Sequence, residues 1–398
     1  MRLLCCSSLI LALIPFHSSA EAPDFSLANI DSELIKGNAL RFDIGTEIGH
    51  IDNFLFQDKA TSDTGFIKLD PEVFVQAQFT QSLFQLKANT AHYKFRDSSE
   101  DDHSNFEISA KYQFKFTPKQ AIFVQGLLEH EYEYRGTGLS LGEADSLVKG
   151  DDKKRQQAEL GYLYGNQDSV AKLEFSLDYG DHQYKSRREI THLLDSEQMG
   201  IKLGFDYLLS GKSYFTSLFS YQDIKLINNS ALNRRQYSAL FGLEWQSSAI
   251  SHFEGLFGYQ QASFDDEQLD SDGFKWQLTF DWSPLEHTLV TLHSGRNFEN
   301  ASKLEDSYRI VDSYLLGIRQ SVSNRLNLTV NMGLNAEESI FVVRSEQEDF
   351  LNANIEFDYQ WRDWLSFFIR YQFQQLDADI QSIQYERNSV SLGISVSI

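Results

Sequence analysis

The chain has almost no cysteine. Cys5 and Cys6 are the only two, and both lie in an N-terminal apolar segment. Beyond that segment, no disulfide framework and no thiolate metal site can be built. After residue 20 no run of about 18 apolar residues occurs, which excludes a membrane-spanning helix. Positive charge is also short. The formal net charge is −22, the wrong sign for a nucleic-acid partner. The ten histidines include no H-x-x-x-H or H-x-x-E-H pair of the kind that holds zinc. There is no P-loop and no dinucleotide fingerprint. The chain therefore calls for no cofactor and no metal.

The N-terminus has the parts of a secretory signal peptide. Arg2 supplies positive charge, Leu3 to Ile14 is apolar, and Ser18-Ser19-Ala20 offers small residues for cleavage. A lipoprotein cysteine would follow the apolar run, whereas Cys5 and Cys6 open it. The expected organisation is a signal peptide over 1–20, a short periplasmic tail over 21–37, and one barrel domain over 38–398.

What the chain does have is alternation. In its last twelve residues Val390, Leu392, Ile394, Val396 and Ile398 point one way, and Ser389, Ser391, Gly393, Ser395 and Ser397 the other. A period of two is a β-strand with one apolar and one polar face. The pattern recurs along the chain. Phe106 to Phe116 share a face against Glu107, Lys111 and Lys115, and Phe274 to Trp282 share one against Lys275 and Asp281. Each apolar row is long enough to cross a bilayer as a tilted strand of about 9–11 residues.

Connections alternate in kind. Tight turns are expected at Thr117-Pro118-Lys119, Ser210-Gly211-Lys212, Ser283-Pro284-Leu285 and Arg362-Asp363. Longer polar loops are expected near 50–64, 96–103, 135–153, 185–195, 298–307, 336–347 and 378–386. Counting strands between them gives about 18. The expected fold is all-β, a transmembrane antiparallel up-and-down barrel with its long loops outside. Four of the five tryptophans (Trp245, Trp282, Trp361 and Trp364) stand beside tight turns, where an aromatic belt would lie. A propeller would place four short strands in each 40-residue unit; here there are two long ones. The acid-rich stretches, such as Asp101-Asp102 and Asp265-Asp266-Glu267, read as solvated loops.

Two groupings bear on chemistry. His293 and Ser294 are adjacent, so they project to opposite faces of a strand and cannot form a dyad. Glu129, Glu131 and Glu133 share a face, which could serve acid–base work, but a charged row at a pore mouth accounts for them better. Nothing specific predicts an enzyme. The polar faces together give the lumen-facing candidates Glu107, Lys111, Lys115, Lys172, Glu174, Asp178, Lys202, Asp206, Glu244, Lys275, Asp281, Arg319, Glu356, Asp358 and Arg370. Gln113, Gln277, Asn327, Asn331, Asn352, Asn354, Gln372 and Gln374 join them. Such a lining suits a hydrated polymer, contacted weakly and released. It equally suits cross-strand ion pairs that merely fill a lumen.

Several segments carry a family resemblance. Gly242-Leu-Glu-Trp-Gln-Ser-Ser, Gly255-Leu-Phe-Gly-Tyr-Gln, Gly273-Phe-Lys-Trp-Gln-Leu-Thr-Phe-Asp-Trp-Ser-Pro-Leu and Leu365-Ser-Phe-Phe-Ile-Arg-Tyr-Gln-Phe resemble the Putative β-barrel porin 2 family. These motifs mark strands and turns, so no catalytic residue is carried across. The resemblance implies an outer-membrane barrel of a Gram-negative bacterium that takes part in exopolysaccharide or capsule export. The implied partners are outer-membrane lipid and lipopolysaccharide, a polysaccharide and its export machinery. A general small-solute porin and a surface adhesin or structural barrel stand as alternatives.

Overall fold

The computed structural model describes residues 37–398, except 60, 167–168, 249, 302, 304–306 and 342–343; the side chains of 246–248 are likewise outside it. The expected signal peptide (1–20) and nearly all of the expected tail (21–37) lie outside the described residues.

Eighteen strands follow one another: β1 (Ala39–Ile51), β2 (Thr64–Gln78), β3 (Ser82–Phe95), β4 (His103–Thr117), β5 (Gln120–Glu133), β6 (Asp151–Tyr164), β7 (Ala171–Tyr184), β8 (Ser196–Ser210), β9 (Ser213–Leu226), β10 (Arg234–Ser248), β11 (Ser251–Phe264), β12 (Ser271–Leu285), β13 (Thr288–Asn300), β14 (Tyr308–Ser321), β15 (Leu326–Ile340), β16 (Ser345–Arg362), β17 (Leu365–Ala378) and β18 (Tyr385–Ser397). Every pairing is antiparallel, and each joins sequence neighbours except the one that closes the sheet on itself. There β1 meets β18 from Asp43↔Ser397 to Ile51↔Ser389. Phe42 and Ile398 exchange backbone hydrogen bonds of 3.0 and 2.9 Å at the end of that seam. Closure leaves neither end strand with a free edge, as a β-structure in hydrocarbon requires.

The alternating sequence explains the two faces. On β8, Met199, Ile201, Leu203, Phe205 and Tyr207 are exposed while Gly200, Lys202, Gly204 and Asp206 are not. The exposed apolar row runs round the whole barrel, so the outer surface is a lipid surface. Aromatic rings mark both of its edges. Trp245, Trp282, Trp361 and Trp364 ring the tight-turn end. Tyr179, Tyr237, Tyr259 and Tyr371 ring the other, all outward and exposed. Trp245 and Tyr237 lie on one strand and Trp282 and Phe274 on another. At about 3.3 Å per residue and a tilt of about 40° these eight-residue spacings rise about 20 Å, most of an apolar band about 25 Å tall.

The buried apolar clusters are not at mid-barrel. Two gather where strands meet the long loops: Ile51, Phe54, Phe66 and Phe95, and Phe56, Leu376, Ile383 and Tyr385. A third joins Ile224, Leu226, Leu232, Ala262, Phe264, Leu269, Phe298 and Tyr308 at the same end.

Three expected connections are corrected. Ser283-Pro284-Leu285 is the end of β12, where the register shifts between Trp282 and Leu285; a bulge accepts a proline that a regular ladder would not. The turn itself falls at 286–287. The loop expected over 336–347 shrinks to 341–344, because β15 and β16 pair as far as Ile340↔Ser345. The loop expected over 298–307 begins only after Asn300. In both cases charged residues disguised a strand that continues past the apolar band.

Candidate functional site: the polar interior face

In an antiparallel pair, residues directly opposite share a face. Following the register from strand to strand therefore traces one continuous interior surface. Glu107 faces Glu129, which faces Arg155. Lys172 faces Asp206, Glu244 faces Glu254, and His252 faces Asp281. Asp358 faces Asn327, Glu356 faces Arg370, and Arg370 faces Ser391. The same tracing puts Lys111, Lys115, Glu174, Asp178, Lys202, Lys275 and Arg319 on this surface, opposite the exposed apolar row.

Most charges are neutralised by neighbours. Arg370 is the hub: Nη2 reaches Glu356 at 2.6 Å and Nη1 reaches Glu47 at 3.0 Å, and the Ser391 hydroxyl donates to Glu47. The guanidinium thus ties β16, β17 and β1 across the small residues of the closing strand. Arg155 Nε donates to Glu129 at 2.8 Å, and Lys153 Nζ lies 2.7 Å from Glu133. Two members of the Glu129/Glu131/Glu133 row are therefore in ion pairs. Nearer the tight turns, Lys172 Nζ sits 4.0 Å over the Tyr214 ring and 3.9 Å from Glu244. His252 stands between Glu244 and Asp281, at 3.4 and 3.7 Å. Asp178 differs. It is buried, it faces Glu159, and neither of its oxygens has a hydrogen-bond partner among the described residues.

Amides form a second component. Asn331, Asn354 and Gln372 lie side by side across β15, β16 and β17, and Asn352 lies beside Gln374. Gln374 accepts from Arg387 at 2.7 Å. Gln113 lies opposite Leu83, and Gln277 opposite Leu256.

The sequence reading missed part of this surface. Arg41, Glu47, Glu72, Lys87 and Lys153 belong to it: Arg41 contacts Asp43 and Glu72, and Lys87 contacts Glu72. Alternation was the available signal for Arg41, Glu72 and Lys87, which stand between apolar neighbours; Lys153, between Asp152 and Lys154, gave none. Leu240, Leu256 and Val311 also face inward and are fully buried. Nothing in the pattern distinguishes an inward leucine from an outward one when its strand neighbours include glycine.

The long-loop mouth is partly covered. The β1–β2, β3–β4, β5–β6 and β17–β18 loops pack together. Asp101, fully buried, accepts from Tyr132 at 2.6 Å and is gripped by Arg135. Asn53 Nδ2 donates to the Glu386 carbonyl at 2.8 Å, and Arg387 lies 4.4 Å over the Phe56 ring. Gly136, at φ +83, brings the β5–β6 loop so close that an added Cβ would fall 2.0 Å from the Leu55 carbonyl oxygen. Tyr134 is walled in among Phe54, Phe56, Phe95 and Tyr132, and this burial lifts its hydroxyl pKa well above the ordinary value.

A family model described as Putative beta-barrel porin 2 matches residues 43–398. The chain belongs to that family. It is thus an outer-membrane, porin-like β-barrel, and the family is one of porins and not of enzymes. No curated protein matches the sequence. Among solved structures, the FrpB iron transporter from Neisseria meningitidis aligns at 8% identity and TM-score 0.49, covering 92% of this chain and 83% of its own. OpdO from Pseudomonas aeruginosa aligns at 11% identity and TM-score 0.48, covering 92% and 98%. The siderophore receptor PirA from Acinetobacter baumannii aligns at 8% identity and TM-score 0.45, covering 90% and 80%.

Proposed function

We propose that this barrel is the outer-membrane passage for a hydrated exopolysaccharide, working with a periplasmic export machinery and set among lipopolysaccharide. The observation that carries the reading is the uncharged amide strip of β15–β17, bounded by charges that already satisfy one another. An amide offers both donor and acceptor to a sugar hydroxyl. Many such contacts of equal strength let a polymer bind and slide, where a bare charge would hold it. No energy-using motif is present in the sequence, so movement is diffusive or driven by a partner.

The test is polymer in the medium and in the periplasm of a strain lacking the gene. Export predicts loss from the medium, accumulation in the periplasm, and recovery with the intact gene. Replacing Asn331, Asn354 and Gln372 together by leucine should reproduce much of the loss with normal barrel yield. Unchanged secretion in the deletion strain would instead favour a small-solute porin or a structural barrel.

A further inference from the structure

At its long-loop end the barrel wall overlaps itself. The β12–β13 ladder runs from Leu285↔Thr288 to Gln277↔Gly295. Both strands go on, β12 paired with β11 as far as Ala262↔Ser271 and β13 with β14 as far as Asn300↔Tyr308. Beyond the ladder, contacts between faces replace contacts between edges. By register Ile224, Ala262 and Phe264 lie on the interior face of β9 and β11, and Phe298, Tyr308 and Ile310 on the exterior face of β13 and β14. These two sets pack against each other. The Phe264 and Tyr308 rings are 5.1 Å apart, and Tyr308 is hydrogen-bonded to Ser271 at the start of β12. The outer end of β13–β14 is thus tucked inside the wall, buried against β9–β12. Lys303, in the connection that follows β13, contacts Glu348 on the interior face of β16.

The same residues suit a second arrangement. Carried on, the β12–β13 register would oppose Phe274 to Phe298 and Asp272 to Asn300. Phe274 stands outward at 53% exposure, whereas Phe298 is 9% exposed. Zipped to β12, the β13–β14 end would set Phe298 and Ile310 in the lipid-facing row, which apolar side chains suit. Tucked, they cover Ile224, Ala262 and Phe264, apolar residues on a face that is elsewhere mostly polar. Each arrangement covers the apolar side of β13 and β14, with lipid in one and with protein in the other. Two packings of one segment that each satisfy its faces are the basis of a two-state element.

The two arrangements differ in bore. The width of a barrel grows with the number of strands that surround it. All 18 strands form the wall, but at the long-loop end β13 and β14 lie inside β9–β12, so fewer surround the opening. The packed loops of β1–β6 and β17–β18 cover one side of the mouth. The tucked end lies on the other side, among β9–β14.

We propose that the outer end of β13–β14 is a shutter on the long-loop mouth: tucked, it narrows the opening, and zipped to β12 it restores the full bore. A bulky solute in the mouth favours the zipped arrangement, because it competes with the tucked end for the same space. The shutter goes beyond the export reading and acts on whatever the lumen carries.

The experiment uses the full-length protein in planar bilayers, with polyethylene glycols of graded size as probes of the bore. In the tucked arrangement Asp272 is on the outer face of β12 and Asn300 is on the face of β13 that meets the wall's interior. Cysteines at these two positions therefore point apart, and a disulfide between them needs the zipped strands, with Cα atoms within about 7 Å. For Asp272→Cys with Asn300→Cys, the shutter predicts that mild oxidation forms the disulfide, raises the conductance and shifts the glycol cut-off to larger sizes. Reduction should reverse all three. Thr279→Cys with His293→Cys, already opposed, should cross-link without changing conductance or cut-off. Failure of the first disulfide to form, or an oxidised barrel with unchanged conductance and cut-off, would overturn the proposal. Tyr308→Ala gives a second reading without thiols. It removes the ring contact with Phe264 and the bond to Ser271, so the cut-off should again shift to larger glycols; an unshifted cut-off in a folded barrel counts against the shutter. Polymer secretion enters neither readout, so failure here is distinct from failure of the export reading.

Discussion

At the scale of single residues, Arg370 and Asp178 test the interior in opposite directions. Arg370 holds two carboxylates from other strands. Its replacement by Gln leaves Glu47 and Glu356 mutually repelling and only half satisfied, which should cost roughly 2–3 kcal/mol. The urea midpoint of the folded barrel in vesicles should fall, and an unchanged midpoint would mean the pairs contribute nothing. Among the described residues Asp178 has no hydrogen-bond partner, and it faces Glu159 with only the unbonded charge of Lys202 to offset it. Asp178→Asn should therefore raise the midpoint, by about 1 kcal/mol; a fall would reveal a partner that the side-chain geometry does not show. Alternation alone made Arg370 and Asp178 legible as polar-face residues. It could not say that one is a hub and the other an orphan, because that depends on which strand lies beside which. Glu47 is 323 positions from Arg370, and only closure brings them together.

At the scale of elements, the strands were legible wherever one face is lipid, because lipid enforces a strict period of two. Ile369 is outward on β17 and exposed. Ile369→Arg should cost roughly 2–4 kcal/mol near the bilayer midplane, read as a lower yield of the heat-modifiable folded form; normal yield would contradict the face assignment. Legibility failed where lipid no longer imposes the pattern. Ala336 to Ile340 and Ser345 to Gln347 pair as strands, but their acids read as loop. The β5–β6 loop was visible only as a long polar stretch. Its docking depends on Gly136, whose conformation and contact with Leu55 leave no room for a side chain. Gly136→Ala should release this loop from the β1–β2 loop while the barrel still folds. Added protease should then nick the loops of intact cells faster, and unchanged nicking would mean the cap does not rely on that contact.

At the scale of the whole molecule, period and turn spacing implied a closed barrel, and closure turns a list of polar residues into a field. Acids outnumber bases on the interior surface. β16 alone presents Glu346, Glu348, Glu356 and Asp358 there, against Arg370 and Arg387 on the next two strands. Pairing quenches the local charges but leaves the sum negative, and a low-dielectric wall concentrates that field along the lumen. The conducting barrel should therefore prefer cations. In a planar bilayer with a potassium chloride gradient, the reversal potential should carry the sign of potassium selectivity and shrink as salt rises, because screening lengths fall from about 10 Å at 0.1 M to about 3 Å at 1 M. Arg370→Gln removes an interior positive charge and should move the potential further in the same direction. Preference for chloride, or a potential indifferent to salt, would mean that ions do not travel along the surface traced by the register.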